Sequence, residues 1–172
     1  MNAADLQAFC ADREDIRYYL RKPWSDGEYT YASNGHIIVR VSRLPDVAEE
    51  PKAPNAAGLI AKIAPASNWM PVPVAVMPPM IECDECHGTG LYIDPFDNDP
   101  TQQPSPMDCE WCNHTGKVKK LVGVRVDNAW FDQGYLSMLQ GWEISPDGTK
   151  KAAWIRNVNI EADGLLMPRD RP

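Results

Sequence analysis

Two cysteine pairs constrain the fold of this chain more than any other feature. Cys83 and Cys86 form the first Cys-x-x-Cys pair and Cys109 and Cys112 the second, so that four of the five cysteines are paired. Two intervening residues let one tight turn direct both sulfurs at a single metal ion, with backbone N–H groups pointing at the thiolates. The glycines that follow each pair permit the left-handed backbone of such a turn. Two of these turns, here called knuckles, predict one structural Zn²⁺ with four thiolate ligands.

Other chemistry of the cysteines is less consistent with this spacing. In a reducing compartment, paired cysteines are more often metal ligands than disulfides. A thioredoxin-like redox role would need only one pair. His87 and His114 lie beside the knuckles, and we expect them to hydrogen-bond near the thiolates or to face solvent; the alternative is that one of them replaces a cysteine ligand. Cys10, outside both pairs, is expected to be a small buried apolar residue.

Charge and hydropathy limit the functional classes. The chain has 172 residues and a net charge of −7, which disfavours a wholly basic nucleic-acid binder. No apolar stretch reaches the length of a membrane span and the N-terminal residues do not form a leader, so we expect a cytoplasmic protein without a membrane partner. One dense basic cluster follows the second knuckle and is expected either to keep a strand edge solvated or to contact nucleic acid. It consists of Lys117, Lys119, Lys120 and Arg125.

The remaining sequence predicts an α+β fold of antiparallel hairpins with two short helices. Asn34-Gly35 stands between two β-forming runs, 29–32 and 36–41, and is the strongest hairpin signal in the chain. Helices are expected near 4–11 and 132–140, and a third short helix could form within the Pro/Ala-rich segment 45–79. Further strands are expected at 117–126, 142–145, 152–155, 158–160 and 165–168.

The zinc knuckles interrupt this α+β pattern. We therefore predict that 1–80 is the first half of the α+β domain with its Pro/Ala-rich linker, that 81–117 is a zinc-binding insertion, and that 118–172 is the second half. The segment 91–108 between the knuckles is rich in proline and aspartate and is expected to be an irregular loop.

The first knuckle resembles a known repeat. Cys83-Asp84-Glu85-Cys86-His87-Gly88-Thr89-Gly90 is similar to the Cys-x-x-Cys-x-Gly-x-Gly repeat of the cysteine-rich region in DnaJ-type chaperones. The second knuckle has His114 where the first glycine would stand. That family has four repeats and two zinc ions, whereas this chain has two repeats, enough for one zinc, and no His-Pro-Asp tripeptide of a J-domain. The resemblance implies a metal site and, as an alternative function, binding of unfolded polypeptide.

The flanking regions resemble another family. The run Tyr-Thr-Tyr-Ala-Ser-Asn-Gly-His at 29–36 is similar to a strand–turn–strand of bacterial DNA polymerase sliding clamps, where the strand ends in Ala-Thr-Asp-Gly-His. Gly-Leu-Leu-Met-Pro-Arg at 164–169 is similar to their terminal strand, which closes on Met-Pro. The resemblance implies one clamp-like domain, built of two similar halves, with the zinc module inserted between them. The second expected helix has no basic residue, which argues against encirclement of DNA.

No catalytic motif accompanies these features. The sequence contains no glycine-rich phosphate loop, no serine nucleophile elbow and no His-Glu-x-x-His. We expect a non-enzymatic zinc-binding accessory or adaptor protein, of the kind that phages and prophages encode, acting through protein or nucleic-acid contacts. Trp111, inside the second knuckle, is the expected partner contact. A protein partner is expected, and assembly into a homo-oligomer is left open.

Overall fold

The α+β class predicted from the sequence is confirmed. The structure, a computed structural model, describes residues 1–64, 66–92, 106–147 and 151–169. It consists mostly of antiparallel sheet with three short helices. No helix in these ranges is long and apolar enough to cross a membrane.

Thirteen strands and three α-helices follow one another along the described chain, with one 3-10 helix at Tyr18–Leu20. In chain order they are α1 (Ala3–Gln7), β1 (Trp24–Asp26), β2 (Tyr29–Ser33), β3 (Ile37–Ser42), α2 (Ala56–Ile60), β4 (Met70–Pro71), β5 (Met80–Glu82), β6 (Leu91–Tyr92), β7 (Met107–Asp108), β8 (Lys117–Lys119), β9 (Gly123–Val126), β10 (Ala129–Asp132), α3 (Gln133–Met138), β11 (Glu143–Ser145), β12 (Ala153–Asn157) and β13 (Ala162–Leu166).

The chain divides into two compact units. Unit 1 comprises Met1–Val76 and Gly123–Pro172, and unit 2 is Met77–Val122. The predicted zinc-binding segment, 81–117, lies within unit 2. The predicted strand 117–126 is two strands, because β8 pairs with β5 inside unit 2 whereas β9 pairs with β10 inside unit 1.

Unit 1 is built around a seven-stranded antiparallel sheet in the order β1-β2-β3-β13-β12-β11-β4. Two similar halves make up most of it. In each half a short helix precedes three antiparallel strands, α1 before β1–β3 and α3 before β11–β13. The last strands of the two halves, β3 and β13, pair with each other in the middle of the sheet.

Both faces of this sheet carry apolar residues. Successive residues of a strand point to opposite faces, so Val39 and its neighbour Ile38 contribute to different clusters. Leu6 of α1 and Leu136 of α3 are fully buried in the cluster that contains Val39. The other cluster, which contains Trp24 and Tyr31, is covered by α2. The sheet therefore has helices on both faces.

Helix α2 is one more helix than the two in the predicted fold. Its N-cap is Asn55, whose side-chain oxygen accepts a hydrogen bond of 2.7 Å from the Gly58 N–H. The cap satisfies one of the otherwise unpaired N–H groups of the first turn. Ala56 and Ile60 are buried members of the cluster that contains Trp24 and Tyr31. Burial and capping thus stabilise a helix within a segment whose prolines favoured a linker.

The predicted hairpin around Asn34-Gly35 is confirmed by the pairing of β2 with β3. Asn34 Oδ1 accepts a hydrogen bond from the His36 N–H at 3.0 Å, and Gly35 has φ of 91°. In contrast, the predicted strand 158–160 is the turn between β12 and β13. Asn157 Oδ1 accepts a hydrogen bond from the Asn159 N–H at 3.1 Å, which stabilises that turn.

Four charged side chains form a row across the face of the sheet that carries the Trp24–Tyr31 cluster. Arg40 lies opposite Asp163, Asp163 opposite Arg156, and Arg156 opposite Glu143 on successive strands. The Arg40 guanidinium donates to both carboxylate oxygens of Asp163, at 2.6 and 2.9 Å. Arg156 Nε donates to Glu143 Oε2 at 2.6 Å. Opposite charges on neighbouring strands stabilise this register.

Replacement of Asp163 should test how much this row of charged side chains contributes to the stability of the fold. We expect Asp163→Ala to lower the free energy of unfolding by about 1 kcal/mol, since Arg40 loses a bidentate but partly exposed partner. Urea denaturation at low and high salt would measure it, and salt should reduce the effect. Lys151→Ala, which removes an exposed pair with Asp147, is the control and should change stability little. Equal effects of both substitutions would contradict a special role for the row.

Candidate metal centre

Unit 2 positions its two knuckles between two short antiparallel ladders. Strand β5 pairs with β8, and β6 pairs with β7. The first knuckle connects β5 to β6, and the second connects β7 to β8. Each knuckle therefore begins on one ladder and ends on the other, which brings the two knuckles together.

Crosswise hydrogen bonds join the knuckles to each other. The Cys83 N–H donates to the Gly116 carbonyl at 2.9 Å, and the Cys109 N–H donates to the Gly90 carbonyl at 2.9 Å. The first cysteine of each knuckle is thus held by the last glycine of the other. The two knuckles therefore make the same hydrogen bond to each other, and this arrangement brings their cysteine sulfurs close together.

The four predicted ligands meet there. The sulfurs of Cys83, Cys86, Cys109 and Cys112 lie within 4.8 Å of one another, and all four cysteines are buried. Cys83 Sγ is 3.9 Å from Cys109 Sγ, and Cys86 Sγ is 3.6 Å from Cys112 Sγ. Zn–S bonds of about 2.3 Å place the sulfurs of a tetrahedral site about 3.8 Å apart. The four thiols therefore fit a tetrahedral metal ion of zinc's size.

Backbone donors favour the thiolate form of these ligands. The Gly90 N–H donates to Cys86 Sγ at 3.2 Å and the Gly116 N–H to Cys112 Sγ at 3.3 Å. Burial raises the pKa of Cys86, but the Gly90 N–H and the neighbouring thiols lower it, to about 7. Burial raises the pKa of Cys109 to about 12. The four groups share one site, so a metal ion there has to displace protons from it.

The turns after the cysteines use left-handed backbone, as the glycines predicted. His87 and Asn113 occupy equivalent positions with φ of 49° and 47°, and Gly88 and His114 follow with φ of 79° and 63°. His114 thus adopts a conformation that usually requires glycine. Its Nδ1 lies 3.1 Å from an Asp108 carboxylate oxygen, a contact that gives this histidine a partner away from the sulfurs.

Neither histidine belongs to the metal cluster. Among the described residues, the group that could hold a metal ion consists of the four cysteines. Four thiolates around a tetrahedral ion leave no coordination position for water or substrate, whereas catalytic zinc sites keep one open. The arrangement suits a structural metal.

The other residues singled out in the sequence belong to both units. Lys117 and Lys119 lie exposed on β8 and Lys120 follows them, all in unit 2. Arg125 is exposed on β9 of unit 1, where its Nε donates to the Asp127 carbonyl at 3.0 Å. Trp111 is 76% exposed. The predicted basic cluster is therefore divided between the two units.

A pocket in unit 1 escaped prediction from the sequence. Its volume is about 600 Å³, and it opens beside the Asn34-Gly35 turn. Residues from distant parts of the chain form this pocket, so no local sequence pattern indicated it. The predicted Asn34-Gly35 turn was the one sequence feature that pointed to this region. Its apolar wall includes Ile38, Leu59, Ile63, Leu165 and Met167.

Two cations, Arg17 and Lys151, lie at this pocket, and none of its described lining residues is an aspartate or glutamate. Arg17 Nε and Nη2 donate to the Asp15 carboxylate at 2.9 and 2.6 Å. These hydrogen bonds lower the pKa of Asp15 to about 2, so the pair persists over the physiological range. Arg17 Nη2 also reaches the Asn34 carbonyl at 3.1 Å, which fixes the guanidinium against Gly35.

Comparisons with protein-family models, with curated proteins and with solved structures give no match for this chain.

Proposed function

We propose that this chain is a non-enzymatic accessory protein that binds a protein partner through the pocket of unit 1 and uses one structural zinc ion to fold unit 2. The pocket is the observation that carries the adaptor role. Ligand sites are concave, mostly apolar and few per protein, with a small number of placed polar groups. The pocket of unit 1 has an apolar wall and two placed cations, in keeping with this description.

The chemistry of the pocket favours a short peptide segment as its ligand. Apolar walls formed by side chains such as Leu59 and Met167 suit aliphatic or aromatic side chains of a partner. Arg17 and Lys151 each pair with a carboxylate outside the described lining, Asp15 and Asp147, and a carboxylate of the ligand would share their remaining N–H donors. The ligand class is therefore a linear segment with apolar side chains and at least one carboxylate.

The zinc assignment follows from the four thiols of unit 2. Their spacing, burial and backbone N–H donors are those of closed zinc sites with four cysteine ligands. Because such a site lacks an open position, the metal's role is to hold the two knuckles together. The short ladders of unit 2 have few residues, and small domains of this kind commonly require a metal for stability.

Selection of peptides on the immobilised protein would test the pocket. We expect selected peptides to carry apolar side chains and a carboxylate. Leu59→Glu places a like charge in the wall at a residue that is 49% exposed, so it should weaken the selected peptide at least about tenfold with little loss of stability. Titration of a synthetic peptide by fluorescence anisotropy would measure this change.

Val74→Glu is the matched control. Val74 is 91% exposed, lies in unit 1 and is outside the pocket, so the same charge change there should leave peptide affinity unchanged. If both variants bind as the wild type does, or if both lose affinity equally, the pocket is not the binding site. A failure to select any peptide would also count against the adaptor role.

Nucleic-acid binding is a second candidate, favoured by the exposed lysines on β8. Lys117 and Lys119 are two residues apart and so lie on the same face of that strand. This role predicts an affinity for single-stranded DNA that falls steeply with salt. Binding that is undetectable, or that does not respond to salt, would remove it.

The two resemblances in the sequence stay proposals. A clamp-like domain is supported by the two helix-plus-three-strand halves of unit 1. A chaperone-like function is supported by the first knuckle alone, and suppression of aggregation at stoichiometric ratio would test it. An origin in a phage or prophage, and assembly into a homo-oligomer, likewise remain predictions.

A further inference from the structure

Trp111 is an exposed aromatic side chain on a rigid support. It lies between Cys109 and Cys112, and 76% of it is accessible to solvent. Two backbone hydrogen bonds stabilise the turn that carries it. The His114 N–H donates to the Cys109 carbonyl at 3.1 Å, and the Thr115 N–H donates to the Cys112 carbonyl at 3.0 Å. A side chain on a fixed turn loses little conformational entropy when it binds a partner. Exposed tryptophans are also enriched among residues that dominate interfaces.

Two exposed carboxylates lie close to Trp111 in the chain. Glu110 precedes it, and Asp108, which contacts His114, lies two residues further back. In the described part of unit 2, five residues are acidic and three are lysines. Zinc bound by the four cysteines, as proposed above, would give this centre a charge of about −2. Of the three lysines, Lys117 lies opposite Glu82 of β5.

We propose that the tip of the second knuckle, Glu110 and Trp111, is a docking surface for a basic segment of a partner polypeptide. An arginine or lysine side chain over the indole gains a cation–π contact, and the same cation is attracted by Glu110 and by the thiolate centre. Leu91 and Met107 are exposed apolar residues on opposite faces of the β6–β7 ladder, so the bound segment can contact one of them. A nucleic acid would bring phosphates towards this negative tip and is disfavoured there.

This inference goes beyond the pocket of unit 1 but rests on the zinc-bound form of unit 2 proposed above. The partner segment it requires is basic, whereas the pocket requires a carboxylate. The two surfaces therefore predict opposite charge preferences, and one set of probes can separate them.

Fluorescence anisotropy with zinc-loaded full-length protein tests the docking surface. The probes are a short labelled peptide built of Arg, Leu and Gly, the same peptide with Glu in place of Arg, and a single-stranded oligothymidylate. We expect the basic peptide to bind more tightly than the other two at unit 2. Trp111→Ala should weaken its binding about fivefold or more, and Glu110→Gln should weaken it and reduce its salt dependence.

Controls separate this surface from general attraction to an acidic protein. Leu121→Ala removes an exposed apolar side chain elsewhere in unit 2, and Asp46→Asn removes an exposed charge in unit 1; neither should weaken the basic peptide. Leu59→Glu in the pocket should not weaken it either. Full affinity in Trp111→Ala, or tighter binding of the oligothymidylate at this tip, would overturn the proposal.

Metal analysis distinguishes a failure of the proposed docking surface from a failure of the proposed zinc site. Trp111→Ala should retain one zinc per chain in native mass spectrometry, since its side chain is not a ligand. One zinc per chain without binding of the basic peptide would overturn the docking surface alone. Absence of zinc from the wild-type protein would instead overturn the structural metal.

Discussion

Cys83→Ser and Cys112→Ser are each expected to abolish stoichiometric zinc binding and to unfold unit 2. Each substitution removes one of four buried thiolates and leaves a hydroxyl that is a poor zinc ligand. In small zinc peptides the metal contributes about 10–16 kcal/mol to folding, so unit 2 should not remain folded without it. Unit 1 has its own core and should keep its dispersed NMR signals. Native mass spectrometry measures the metal, and a ¹H–¹⁵N spectrum reports on both units.

Cys10→Ser is the control for this experiment. Cys10 lies in unit 1, outside the cluster, and burial raises the pKa of its thiol to about 12, which keeps it protonated. Its replacement should leave the zinc content at one per chain. If Cys83→Ser or Cys112→Ser retains full zinc and the wild-type melting temperature, the assignment of the four ligands is wrong.

Gly90→Ala should weaken zinc binding far more than Gly88→Ala, although both glycines have positive φ, of 77° and 79°. An alanine Cβ at 90 would collide with the His114 carbonyl, which belongs to the opposite knuckle, and backbone there cannot move aside without separating the knuckles. A Cβ at 88 meets only the flexible side chain of Glu82, at 3.5 Å. Left-handed strain costs about 1–2 kcal/mol in either variant.

The collision adds about 1–3 kcal/mol for Gly90→Ala, so its zinc affinity should fall at least about fivefold below that of Gly88→Ala. Competition with a chelator of known affinity would measure the ratio. Gly116→Ala should match Gly90→Ala, because its Cβ would meet the Gly88 carbonyl in the equivalent position. Equal affinities of the 88 and 90 variants would contradict the close approach of the knuckles.

The sequence predicted those features that depend on a few neighbouring residues. The ligand set followed from two cysteines separated by two residues, since one turn directs both sulfurs. The hairpin followed from Asn34-Gly35, since its backbone preference depends on those two residues alone. The sequence did not settle whether α2 is a helix, because its proline-rich flanks favour a linker whereas its apolar run favours a helix. Burial of the segment against the sheet stabilises the helix.

Features that join distant residues could not be predicted in this way. Arg40 and Asp163 are 123 positions apart, and only the pairing of β3 with β13 brings them together. The pocket of unit 1 likewise combines Arg17, Leu59 and Lys151 from separate segments. No periodicity or motif encodes such neighbours, because sheet order and register determine them.

The sequence by itself determined which cysteines form the candidate metal site, where the chain turns sharply, and that the fold mixes short helices with antiparallel strands. These properties depend on a few consecutive residues and on their backbone preferences. The tertiary structure alone decided that the two knuckles hold each other crosswise, that the basic residues near the second knuckle are divided between units, and that unit 1 has an apolar pocket with two cations in its lining. The reason is physical: contacts between distant segments depend on the packing of the whole sheet and core, and no local stretch of sequence carries that information.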